Sequence, residues 1–124
     1  MKTAISTPAA PRPSASYSQG IVANGFLFTA GFGPQHPETD VVPEGIVAQT
    51  RQTLQNIEAV LGTQGLDLSD VVKATVHITR LEDFAGFDAT YRELVPTPLP
   101  ARTTVGSGLH GQLVEIDVVA ALRG

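Results

Sequence analysis

The chain has no cysteine, which rules out disulfides, a thiolate nucleophile and zinc held by sulfur. Charge is sparse too: Asp, Glu, Lys and Arg make up 16% of the 124 residues, against about 25% in ordinary soluble domains. A surface this poor in charge is expected to be partly interface. Eight Lys and Arg stand against twelve Asp and Glu, a formal −4, with no basic block, so the main electrostatic source of nucleic acid binding is missing. No apolar run is long enough for a membrane-spanning helix. The opening MKTAISTPAAPRPSAS has no apolar stretch behind its lysine, so no signal peptide is read and the cytoplasm is the expected location.

What is present reads as one small α+β domain over residues 1–124, with 1–16 as an irregular, Pro- and Ser-rich arm. Tyr17–Val22 and Phe26–Ala30 flank Asn24-Gly25, a pair suited to a tight hairpin turn. Gly31–Asp40 reads as a long loop. Ile46, Thr50, Leu54, Ile57 and Leu61 recur at helical steps, in a helix expected to open at Pro43 and Glu44 and close near Gly62 or Gly65.

From Val71 to Thr79 the residues alternate, with Val72, Ala74, Val76 and Ile78 facing one way and Lys73, Thr75, His77 and Thr79 the other. Asp83 is expected to cap a second helix carrying Phe84, Phe87, Tyr91 and Leu94, which Pro96, Pro98 and Pro100 prevent from continuing. Ala101–Val105 and Leu113–Ala120 complete a ββαβαββ order: a sheet with two helices on one face. The other face, carrying Leu113, Val119 and strand aromatics, calls for cover by further subunits in two-fold or three-fold symmetry.

Arg102 stands out chemically, because a guanidinium fork on a strand among small neighbours suits a planar carboxylate or phosphate. Capping a sheet edge, or bridging to an acid on a neighbouring strand, is the alternative. Glu115 and Asp117 share a strand face within the apolar VEIDVVA, where burial raises a carboxyl pKa toward that of a general acid or base. Interface ion pairing, or a bridge to Arg102, is their competing use. The histidines His36, His77 and His110 show no ligand spacing, so no metal is expected, and His77 reads as a satisfied sheet residue. Tyr17 either lies over a pocket or simply packs. Neither GFG nor GSG has the further residues of a phosphate loop.

Tyr17-Ser18-Gln19-Gly20, Phe28-Thr29-Ala30-Gly31, the helical run Gln49–Ile57, Asp88-Ala89-Thr90-Tyr91, Pro100-Ala101-Arg102-Thr103 and Val114-Glu115-Ile116 together resemble the RidA family of YjgF-like reactive-imine deaminases over nearly the whole chain. The resemblance implies a chorismate-mutase-like fold, a homotrimer with its sheets facing inward as a barrel, and sites in the clefts between subunits. It also implies a small-molecule partner, a 2-imino acid such as 2-iminopropanoate or 2-iminobutanoate, hydrolysed without a cofactor to a 2-oxo acid and ammonia.

On this resemblance Arg102 holds the substrate carboxylate, Glu115 handles the water and the proton, Tyr17 lines the pocket, and the backbone at Gly31 forms part of its wall. Ala30 stands where the family usually has serine and Asp88 where it usually has asparagine. Both positions are expected to touch the substrate, and the small Ala30 and Thr104 suggest a short aliphatic tail. Related trimers act on aminoacrylate- or aminomuconate-like compounds or have no established activity. A different imine or enamine, or a non-catalytic metabolite-binding or protein-interaction role, therefore stays open.

Overall fold

The computed structural model describes residues 1–124. Its elements are β1 (Thr3–Ile5), β2 (Gly20–Ala23), β3 (Phe26–Thr29), α1 (Ile46–Gly62), β4 (Val71–Ile78), α2 (Phe84–Leu94), β5 (Ala101–Gly106) and β6 (Val114–Ala121). Asn24 and Gly25, at φ 51° and 83°, form the turn that joins β2 to β3. Six strands make one sheet in the order β1-β2-β3-β6-β4-β5. Only β4 and β5 run parallel, because α2 provides the crossover between them.

One sheet face packs on the helices. Leu54, Ile57, Val60 and Leu61 of α1 and Phe87 and Tyr91 of α2 bury against Val76, Ile78, Val114, Ile116 and Val118. The α1 stripe falls where its 3.6-residue period requires. Gly65 at φ 70° ends the helix by letting the Leu66 N–H reach back to the Leu61 carbonyl at 3.1 Å. The opposite face has no cover within the chain. Phe26 and Phe28 of β3 stand 38% and 42% exposed there, and Val105 of β5 is exposed on the same face across β6 and β4.

Four local expectations need correction. Residues 1–16 are not irregular throughout, since Thr3, Ala4 and Ile5 pair with Val22, Ile21 and Gly20 to add a sixth strand. Gln19 explains why the arm is held. Its side chain is 2% exposed, its Oε1 accepts from the Thr7 N–H at 2.7 Å, and its Nε2 lies 3.1, 3.3 and 2.9 Å from the carbonyls of Thr7, Ala10 and Pro11. Helix α1 starts after Pro43 and Glu44, because Gly45 at φ 85° turns the chain into Ile46. The alternation of β4 breaks at its start: a register shift between Val71 and Lys73 buries Val71 and leaves Val72 exposed. Asp83 precedes α2 but makes no capping bond, its carboxylate accepting instead from Arg80 Nε at 3.1 Å.

Gln19→Ala is expected to destabilise the protein by roughly 1–3 kcal/mol, because backbone groups of the arm lose their partner. Hydrogen exchange at the Thr7 amide reads the effect directly, and unchanged protection there would mean that the arm is held by other contacts.

Candidate functional site: two half-sites on opposite sheet faces

The loop after β3 is clamped to β6 by a reciprocal pair of backbone bonds. Phe32 N–H donates to the Ile116 carbonyl at 2.8 Å and Ile116 N–H to the Phe32 carbonyl at 2.9 Å. Behind the loop, the buried Asn56 of α1 donates to the carbonyls of Gly33 and Gln35, both at 2.9 Å. This clamp sets Gly31 directly under Glu115. A Cβ on Gly31 would come within 2.6 Å of Glu115 Oε2, so a residue without a side chain is what lets the carboxylate lie against the backbone.

A cleft of about 290 Å³ opens above this contact, with Tyr17, Gly31 and Glu115 in its wall. The Tyr17 ring is 46% exposed and its hydroxyl accepts from the Ser14 N–H at 3.2 Å, so the arm and the tyrosine form one rim. Ala30, expected in the pocket, instead packs partly buried against the core, with its N–H donating to the Gln19 carbonyl at 2.9 Å.

Arg102 lies elsewhere. It pairs with Ala74 across the β4–β5 ladder, and Ala74 faces the core, so its side chain points to the helical face. The guanidinium carbon sits 4.8, 5.3 and 5.8 Å from the ring centroids of Tyr91, Phe87 and Phe84, a cation held against aromatic faces. Nη1 donates to Asp88 Oδ1 at 2.8 Å, and Arg92 donates to Asp88 Oδ2 at 3.1 Å. Asp88 thus binds the very guanidinium that the resemblance gives to substrate, and both residues border a second cleft of about 320 Å³. Burial raises the Tyr91 pKa, with the Arg102 charge working against it, and its hydroxyl has no partner.

Glu115 follows Val114 and precedes Ile116, both fully buried toward the helices, so its side chain leaves by the other sheet face. The β6-β4-β5 order puts it two strand spacings, about 10 Å, across the sheet from Arg102, and the register sets Arg102 level with Val118, three residues or about 10 Å further along the strand direction. One chain therefore does not bring Arg102 and Glu115 within a water's length of each other, and no bridge joins Arg102 to Glu115 or Asp117. Asp117 shares Glu115's face. Its pKa is raised by burial, and the nearby charges of His77 and Lys73 pull it partly back. His77 is a satisfied sheet residue, with Nδ1 2.7 Å from Ser107 Oγ.

Replacing Asp88 with Asn is expected to tighten carboxylate binding at Arg102 about fivefold, the scale of a partly exposed ion pair. Calorimetric titration with a 2-oxo acid checks this; weaker binding would mean that Asp88 holds Arg102 in its working position rather than competing for it.

The endoribonuclease L-PSP family model matches residues 7–122. A RutC family protein of Pyrococcus horikoshii is 42% identical over 123 residues, 97% of this chain and 98% of that protein. The 2-iminobutanoate/2-iminopropanoate deaminase of Escherichia coli is 35% identical over 123 residues, covering 97% of this chain and 96% of the relative. The crystal structure of E. coli TdcF with bound serine superposes with a TM-score of 0.91 at 30% identity, over 98% of this chain and 99% of that one. No helix in this structure is long and apolar enough to cross a membrane. The chain belongs to the endoribonuclease L-PSP family, which is the RidA/YjgF family.

Proposed function

We propose that the protein hydrolyses short 2-imino acids to 2-oxo acids and ammonia, in sites that join the Arg102 cleft of one subunit to the Glu115 cleft of its neighbour. The observation that carries this reading is the division of the machinery: a cation fit for a carboxylate borders one cleft, a carboxylate fit for moving protons borders another, and they lie on opposite faces. Only a second copy can bring the two together. The uncovered face, with Phe26, Phe28 and Val105 exposed, supports assembly, and a closed ring of three subunits covers every such face.

In the joined site, two guanidinium N–H groups of Arg102 hold the substrate carboxylate and fix the C2–N plane. Water then adds to C2 of the protonated imine as Glu115 takes one of its protons. The same carboxyl delivers that proton to the amine of the resulting carbinolamine. Ammonia departs, the remaining C–O bond becomes the 2-oxo group, and the hydroxyl proton returns to solvent. Protonated C=N is already electrophilic, so positioning accounts for most of the acceleration. The ribonuclease in the family model's description fits this chain less well, since a formal charge of −4 opposes a polyanion.

The test generates 2-iminopropanoate and 2-iminobutanoate in place with an amino-acid oxidase and follows 2-oxo acid and ammonia release. A rate clearly above spontaneous hydrolysis is expected. No acceleration on either compound would overturn the deaminase reading.

A further inference from the structure

Six arginines occur in the chain, and five of them are ion-paired: Arg51 with Glu93, Arg80 with Asp83, Arg92 and Arg102 with Asp88, and Arg123 with Asp70. The sixth, Arg12, has no salt bridge, and it borders the same cleft as Glu115. It is also well positioned. Pro11 and Pro13 on either side restrict the backbone, and the Pro11 carbonyl accepts from the buried Gln19 at 2.9 Å. Its charge therefore sits at the rim of the cleft on an anchored segment.

The cleft itself offers little to an aliphatic tail. No Leu, Ile, Val, Met or Ala lines it, and Gln35 and Gln112, paired at 2.6 Å, form part of its wall. The short aliphatic tail suggested by Ala30 and Thr104 finds no matching surface there. Asp40 is a further acid in the lining, yet it lies outside ion-pairing distance of Arg12. A guanidinium without a protein partner, in a polar cleft beside the proposed proton carrier, is suited to an anionic group brought by the ligand.

We infer that Arg12 binds a second, side-chain carboxylate, so that the site favours 2-imino acids of the dicarboxylate class; this rests on the deamination proposed above. Arg102 takes the carboxylate next to the reacting carbon and Arg12 the distal one.

Titration with two stable product-class ligands, 2-oxoglutarate and 2-oxobutanoate, tests the inference without relying on turnover. The wild-type protein is expected to bind 2-oxoglutarate about tenfold or more tightly than 2-oxobutanoate, the scale of one charge-assisted contact. Arg12→Ala should bring that ratio close to one, and Arg12→Lys should retain part of it. Equal affinities in the wild type, or a preference that survives Arg12→Ala, would overturn the inference.

Parallel rates on 2-iminoglutarate and 2-iminobutanoate separate the two proposals. Preferential binding without any turnover removes the deaminase reading and leaves the anion subsite standing. Turnover without preferential binding does the reverse.

Discussion

Arg102→Ala is expected to lower kcat/KM for a 2-imino acid by on the order of a hundredfold or more, because each hydrogen bond to a charged group contributes about 1.5–3 kcal/mol and the fork supplies two. Arg102→Lys should recover little of the loss, since an ammonium cannot reproduce the planar pair of donors. The guanidinium also covers three aromatic rings, so a modest drop in thermal stability is expected alongside. Steady-state kinetics together with a melting curve distinguish the two effects. A large fall in stability with kcat/KM nearly unchanged would assign Arg102 to the scaffold, locked to Asp88 and Tyr91.

Glu115→Gln should behave differently. The amide matches the carboxylate in size and can keep its place over Gly31, but it cannot take a proton from water. Turnover is expected to fall by about 10²–10⁴, the usual contribution of a positioned acid or base, while KM moves little. Measuring kcat and KM separately provides the check. An unchanged kcat would remove Glu115 from the reaction, and an increase in KM alone would make it a binding residue.

Much of the scaffold was legible because its signals are periodic. The α1 stripe from Ile46 to Leu61 and the β6 alternation of Val114, Ile116, Val118 and Ala120 against Glu115 and Asp117 appear in the structure as the residue order implies. Features that depend on a single distant partner were not legible. Strand β1 is three residues long and held by its ladder to β2, with Gln19 fixing the arm just after it, and neither its length nor its composition marks it as a strand. The shift that exposes Val72 depends on how β4 meets β6, and the residue pattern of β4 alone is compatible with an unbroken strand.

The candidate site shows the same division. Arg102, Glu115 and Tyr17 stand out by residue type and neighbours, Gly31 and Asp88 only by the family resemblance, and all five border a cleft within their own chain: Tyr17, Gly31 and Glu115 one, Arg102 and Asp88 another. Glu115 takes the outer face by the alternation of β6, whereas the inward face of Arg102 depends on its pairing with the core-facing Ala74, which the residue pattern of β5 alone does not encode. Arg12 carries no signal within its Pro-rich segment; its significance emerges only when every other guanidinium is seen to be paired.

The most direct test of a shared site mixes two inactive variants. Arg102→Ala and Glu115→Gln subunits, refolded together in equal amounts, produce some neighbours in which an intact Arg102 cleft faces an intact Glu115 cleft. Random assembly should restore about a quarter of wild-type deaminase activity, because each half of a site is intact with even odds. Recovery to that level, with neither variant active alone, is the predicted result. If mass spectrometry shows mixed oligomers and activity stays at the level of the separate variants, Arg102 and Glu115 do not meet across a subunit boundary and the account is wrong.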